Sequence, residues 1–210
     1  MKTTLSLGSS LLTTKKLLEA GATPVSAYDS TMTPLSDFRA DRRRYPPAAW
    51  LFERSIWSVA IYRLQQAIAA FKARTGRIVP LRMLITGTQA ILAMTAQVMT
   101  GNELPPEAQI GPGLRIHHSG NVIINPRVRI GRDCTVRHGV SIGNLVPQGP
   151  APVLGDRVEL GAYAQLFGAI TIGDDAKVGA MSVVLRDVPT GATAVGIPAR
   201  VINAELTAPS

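Results

Sequence analysis

From Ile124 onward, a large aliphatic residue returns at every sixth position: Ile124, Ile130, Val136, Ile142, Leu154, Leu160, Leu166, Ile172, Val178 and Val184, with Gln148 the one exception. Glycine follows the aliphatic at 131, 143, 155, 161, 173 and 179. The residue four places after the aliphatic is compact or branched, as at Val128, Cys134, Val140, Val158, Ala164, Ile170, Ala176 and Ser182. Neither the 3.6-residue period of a helix nor the alternation of a half-buried strand produces a period of six. Three short strands joined by tight corners do: each side of the triangular coil points one large and one smaller residue inward, and glycine relieves the crowded corner. Stacked coils then lie about 4.8 Å apart, and the aliphatics form ladders inside a prism. Ile110 and Ile116 belong to the same series, with two residues inserted before Ile124. The expected fold is mainly β, a parallel β-helix preceded by an N-terminal α-helical region.

Upstream, the period changes. Between Pro46 and Arg74, Trp50, Leu51, Ile56, Trp57, Ala60, Ile61, Leu64, Ala67, Ile68 and Phe71 recur at three and four residues, which predicts one amphipathic helix ending near Thr75-Gly76. A second helix is predicted from Pro80, a favoured first-turn residue, to Thr100, where Gly101 stops it and Pro105 and Pro106 confirm the break. Asp37 to Arg44 is a charged stretch leading into this region. The organisation is thus a loose leader over 1–35, a helical region over 36–103, the β-helix over 104–204 and a tail over 205–210. Lys15, Lys16 and Glu19 interrupt any signal-peptide core in the leader. Pro80 to Met99 is the most apolar stretch, but Arg82, Thr86, Thr88, Gln89, Thr95 and Gln97 make it a poor membrane span, so a packed or interfacial helix is expected.

With 210 residues and 46% hydrophobic content, the chain can bury one core and a helical appendage. Its net charge of +8 lies wholly in the first hundred residues, which hold 13 basic and 5 acidic side chains against 9 and 9 in the remainder. Any attraction to an anionic partner therefore belongs to the helical part. Those arginines are either a solvated helix face or a contact with the inner membrane surface, and no nucleic-acid partner is expected. The lone Cys134 cannot form an intramolecular disulfide and no Cys/His spacing suits zinc, so a cytoplasmic protein without a metal is expected.

The segment Ile110-Gly-Pro-Gly-Leu-Arg-Ile-His-His-Ser-Gly-Asn-Val-Ile-Ile-Asn resembles the active-site coil of serine O-acetyltransferases, members of the hexapeptide-repeat acyltransferase superfamily. The stretches from Gly173 to Pro189 and from Val195 to Val201 are similar to the final coil and exit of that superfamily, and Ile61-Tyr-Arg-Leu to a Tyr-Arg pair in the helical domain. The resemblance implies a left-handed coil, a homotrimer that can pair into a dimer of trimers, and acetyl-CoA as cosubstrate. It also implies His118 as general base, with Glu103 standing where the family holds the base with an aspartate. Acetyl-CoA would run along the late coils past Gly161, Ala162, Gly179, Ala180 and Ser182, with Lys177, Arg186 and Arg200 as phosphate contacts.

A histidine suits activation of a hydroxyl, which is a poor nucleophile at neutral pH. His118 and His138 each follow an inward aliphatic by two residues, which predicts that they share a corner on neighbouring coils. Cys134, at an inward position, is read as core and not as a nucleophile. The family's acceptor-binding features are altered: His117 replaces an acidic residue, and the loop from Gly143 to Pro152 is shorter, with Pro150 and Ala151 where an Arg-His pair is implied. An acidic contact from the helical region would fall at Asp41. His117, His138 and Asp41 are therefore the candidate acceptor contacts. The acceptor expected from these departures is a sugar, glycan or other small hydroxyl compound, with L-serine as the alternative and a non-catalytic trimeric scaffold as another.

Overall fold

The computed structural model describes residues 33–74 and 79–202; the leader up to residue 32, the predicted break at Thr75-Gly76 and the tail lie outside them. The six-residue units become strands of two or three residues. The first coil holds β1 (Gln109–Ile110), β2 (Arg115–His117) and β3 (Ile123–Ile124), and the second β4 (Arg129–Ile130), β5 (Thr135–Arg137) and β6 (Ser141–Gly143). The third holds β7 (Val153–Leu154), β8 (Glu159–Leu160) and β9 (Gln165–Phe167), and the fourth β10 (Thr171–Ile172), β11 (Lys177–Val178) and β12 (Val183–Val184). Strands of the same side pair in parallel, giving the three faces β1-β4-β7-β10, β2-β5-β8-β11 and β3-β6-β9-β12 of a left-handed β-helix. A hairpin of β13 (Thr193–Gly196) and β14 (Ala199–Ile202) adds to the second face and closes the far end.

Register explains both irregularities of the repeat. Leu160 pairs with Val178, eighteen residues on, which is three units per coil. Ile116 pairs with Val136, twenty on, because residues after His117 form a two-residue excursion. Val136 pairs with Leu160, twenty-four on, so one whole unit is looped out between β6 and β7. Gln148 lies exposed in that loop, which is why it breaks the aliphatic series. The ladders themselves are dry: Ile116, Val136, Leu154, Leu166 and Ile172 have no exposed surface, and Cys134 is buried among them as expected. Glycine at the corner is a steric requirement, since a Cβ on Gly131 would sit 2.5 Å from the Gly155 carbonyl oxygen of the next coil.

The helical region comprises α1 (Pro34–Arg43), α2 (Ala49–Phe52), α3 (Arg54–Arg74) and α4 (Val79–Thr100). Thr33 caps α1 in a reciprocal pair with Ser36, and Pro34 opens it. The single helix expected from Pro46 to Arg74 is instead broken at Glu53, whose backbone is extended (φ −110°, ψ 100°). That break turns Glu53 toward the first coil while Ile56, Val59 and Tyr62 of α3 stay buried.

These helices seal the open end of the prism. Edge strands of the first coil leave backbone donors and acceptors without a preceding coil, and a buried unpaired group costs about 1–3 kcal/mol. Arg63 answers the carbonyls of Ile110 (2.8 Å) and Gly111 (2.7 Å), Tyr62 donates to Ala108 (2.7 Å), and Tyr45 accepts from the Ile116 amide (3.1 Å). Arg44 donates to the carbonyls of Gly113 (2.7 Å) and Cys134 (3.0 Å). Two of the N-terminal arginines are therefore neither a solvated face nor a docking patch: they cap the β-helix. α4 packs on α3 but buries only Ile85 and Thr100. Among the described residues it is the one helix long and apolar enough to cross a membrane, and of the packed or interfacial helix expected there it is the packed form that is missing, since the helix is largely bare.

Candidate active site

His118 follows β2 directly, in a left-handed backbone conformation (φ 61°) that histidine tolerates better than most residues. It opens the two-residue excursion, in which Gly120 (φ 134°) and Asn121 (φ 57°) also take positive φ. Asn102 holds this turn: its side-chain oxygen accepts from the amides of Gly120 (3.1 Å) and Val122 (3.2 Å), while its amide nitrogen donates to Ser58 of α3 (2.9 Å). The helical region thus fixes the loop that presents His118. The imidazole is exposed at one wall of a cavity of about 380 Å³, between the α2–α3 break and the first coil.

Glu53, Ser55, Arg115, His117, His118 and Ser119 line this cavity. Arg115 and Glu53 form an ion pair across it at 2.9 Å, with side chains 9% and 29% exposed. The Arg115 guanidinium also lies 4.0 Å over the Tyr45 ring, whose hydroxyl is pushed up to about 12 by burial. Two buried side-chain atoms on the cavity residues, Arg115 Nη1 and Ser119 Oγ, have no hydrogen-bond partner. Burial, with Arg115 and Arg137 nearby, holds His117 below the ordinary histidine value.

His138 stands where the repeat predicted, on the same corner as His118 one coil later, with ring centroids 5.9 Å apart. Tyr163 continues the stack at 5.1 Å from His138. The His138 Nδ1 is buried without a partner. By the register of β5, β8 and β11, the positions after His138 on this corner are Ala162 and Ala180. The proposed nucleotide groove therefore shares a corner line with His118. Within that groove Ser182 is buried and its hydroxyl accepts from the Gly196 amide (3.1 Å), a hairpin support. Gly161 admits no side chain, because a Cβ there would lie 2.4 Å from the Ala180 nitrogen. Lys177, Arg186 and Arg200 are exposed, with Lys177 3.7 Å from Glu159.

Of the expected site residues, His138 stacks on His118 without lining the cavity, and two others are placed elsewhere. Asp41 is completely buried, 2.8 Å from Arg63 Nε and 2.7 Å from the Leu114 amide, so it docks α1 onto the first coil and does not reach the cavity. Burial raises its carboxyl above the ordinary value, against the pull of Arg63 and the Leu114 amide. Glu103 is exposed, bridges its backbone to Ile123, and faces a different cavity with Ser58, Tyr62 and Asn102. It makes no hydrogen bond to His118; its neighbour Asn102 orders the histidine's turn instead. Glu53, Ser55, Asn102 and Ser119 do not stand out in the sequence. Arg115 alone carries a signal there: it precedes an inward aliphatic, an outward position, on the coil that the helices must cover. Among the described residues no three His, Cys, Asp or Glu side chains gather as a metal would need.

No family model matches the sequence. Serine acetyltransferase of Helicobacter pylori is 47% identical over 114 residues, which are 53% of this chain and 67% of that protein. The solved structure of soybean serine acetyltransferase complexed with serine superposes with a TM-score of 0.65 at 32% identity, covering 81% of this chain and 68% of the soybean chain. A serine acetyltransferase in complex with CoA matches with a TM-score of 0.63 at 28% identity, over 79% of this chain and 66% of the other. The repeat, the histidine-bearing first coil and these likenesses converge: the chain is an acyltransferase and belongs to the serine acetyltransferase family of hexapeptide-repeat proteins.

Proposed function

We propose that the protein transfers the acetyl group of acetyl-CoA to the hydroxyl of L-serine, with His118 as general base. The observation that carries the reading is His118 itself, an exposed imidazole on the wall of a polar cavity in a chain of this family. The acceptor follows the shared name of the relatives and the serine bound in the soybean structure. The shortened loop with Pro150 and Ala151, and His117 in place of an acid, point toward a sugar or other hydroxyl, and no finding adds support to that choice. Use of acetyl-CoA is supported by the CoA-bound relative and by the corner line that joins His118 to Ala162 and Ala180.

In this reading, His118 takes the hydroxyl proton as the oxygen attacks the thioester carbonyl carbon. The tetrahedral adduct collapses with cleavage of the carbon–sulfur bond. The imidazolium returns its proton to the departing sulfur, giving CoA thiol and the O-acetyl ester. No covalent enzyme intermediate is required, so the buried Cys134 thiol has no part in the chemistry. The assembly proposed with it is a homotrimer of 22.3 kDa chains, which sedimentation velocity resolves from a monomer.

The test is thiol release from acetyl-CoA with L-serine, homoserine and several sugars in parallel. Wild-type turnover of L-serine, falling about 10²–10⁴-fold in kcat for His118→Ala with an unchanged melting temperature, supports the reading. Turnover of sugars without L-serine replaces the acceptor. Equal CoA release by wild type and His118→Ala across the panel leaves the scaffold reading.

A further inference from the structure

The cavity beside His118 holds an acid and a base already joined. Glu53 and Arg115 meet at 2.9 Å, and the pair leaves valence on both sides. Arg115 commits Nη2 to the glutamate and one face of its guanidinium to Tyr45 at 4.0 Å, while Nη1 is buried and unpaired. A guanidinium offers five N–H donors in a planar fork suited to carboxylate, so an unspent buried Nη1 on a residue that lines the cavity is a costly feature unless an acceptor group meets it. Glu53 keeps carboxylate lone pairs on its more exposed side, where they can receive N–H donors. Ser119, whose hydroxyl is also unpaired, and Ser55 flank the same space.

We propose that the Glu53–Arg115 pair is the specificity element for the acceptor and recognises a zwitterionic α-amino acid, Arg115 receiving its carboxylate and Glu53 its ammonium. The inference rests on the serine reading and deepens it. The two charges of an α-amino acid sit one carbon apart, a separation comparable with the 2.9 Å between the paired oxygen and nitrogen. Laid head to tail against the ion pair, the zwitterion forms a closed set of four alternating charges, and neither protein charge is left alone. A neutral sugar hydroxyl offers no such match. Orientation follows as well, because Arg115, His117 and His118 follow one another along β2 and its exit, interrupted only by Ile116, which points into the core. With the backbone end of the amino acid fixed at Arg115, a β-hydroxyl is directed along the wall toward His118.

Glu53→Gln and Arg115→Met separate the two charges, and three compounds separate the ligand's: L-serine, ethanolamine, which lacks the carboxylate, and 3-hydroxypropanoate, which lacks the ammonium. Each is measured as substrate or as competitive inhibitor against L-serine. Glu53→Gln is expected to weaken L-serine and ethanolamine about tenfold or more and to leave 3-hydroxypropanoate unchanged. Arg115→Met is expected to weaken L-serine and 3-hydroxypropanoate by a similar factor and to spare ethanolamine. KM for acetyl-CoA stays at its wild-type value in both. Arg115 is packed on Tyr45, so Arg115→Lys, which keeps the charge, accompanies it and is expected to retain the preference for a carboxylate. Wild-type turnover of L-serine with all three compounds weakened alike in Glu53→Gln makes the pair a structural bridge and overturns this inference alone. A wild type inert toward L-serine overturns the serine reading and the inference with it.

Discussion

Inside the prism the buried surface is Ile, Leu, Val, Ala and Cys134, and its backbone hydrogen bonds repeat from coil to coil; among the described residues Ser182 is the one enclosed polar residue of the later coils. The helical region is built the other way. Among the described residues, eight of the ten buried polar or charged ones (Asp37, Asp41, Ser55, Ser58, Arg63, Gln65, Thr100 and Asn102) belong to it, and several spend their hydrogen bonds on the first coil. The contrast follows from a geometric fact: a coil in the middle of a stack is satisfied by its neighbours' backbones, but the first coil has no predecessor and must be satisfied by side chains. Those side chains also make the active site, because sealing the end brings Glu53 and Asn102 onto the strand and turn that carry His118.

The sharpest way to break this contrast is at Asp41. Asp41→Ala leaves Arg63 buried, without its closest carboxylate, and leaves the Leu114 amide unbonded. An expected loss of about 3–5 kcal/mol in denaturant-induced unfolding follows. A loss below about 1 kcal/mol would mean that the cap rests on its apolar contacts and not on its polar ones.

A smaller effect separates the two regions by pH. Cys134 lies in the apolar ladder, and burial pushes its thiol up to about 12, whereas the unfolded chain titrates near 9. Its native state therefore keeps the proton that the unfolded state gives up, so stability is complete below pH 9 and declines as pH rises from there toward 12. At pH 10 the wild type should lose about 1.4 kcal/mol more, relative to pH 8, than Cys134→Ala does. Equal alkaline losses in the two proteins would place the thiol in contact with solvent. Native Cys134 should also resist thiol reagents at pH 8 and react once the chain is unfolded.

Much of the prism is legible in the amino-acid sequence, because a six-residue period has one physical cause and each inward position repeats it. Even its failure at Gln148 is informative, marking the unit that is looped out between β6 and β7. The histidine corner is legible for the same reason: spacing from Ile116 and Val136 places His118 and His138 together. The cap is not. An amphipathic stripe from Trp50 to Phe71 says that a helix forms, and nothing in it marks Glu53 as a break or says which arginines meet backbone carbonyls. Asp41 reads as an acidic candidate on a charged stretch, and only the fold turns it toward Arg63. Arg115 shows the same limit from the other side, an outward position by period that is buried because the helices cross it.

α4 is the part of the helical region that does not conform to the capping rule. It contributes Ile85 and Thr100 to the interior and leaves Leu84, Ile91, Met94 and Val98 exposed. With Gly87, these residues follow a three-four spacing along one side of the helix, the seam that a single partner helix or an apolar surface would cover. If the stripe is bare in the native protein, Ile91→Gln changes unfolding stability by no more than about 0.5 kcal/mol, the range of ordinary surface substitutions. A loss well above that makes α4 a buried element of the assembled protein, and the division between a polar cap and an apolar prism would then have to include an apolar seam. Cosedimentation with anionic vesicles at low and high salt distinguishes a lipid surface as the covering: salt-sensitive binding that Ile91→Gln weakens assigns the seam to lipid, while salt-independent stabilisation that rises with protein concentration assigns it to another copy of the chain.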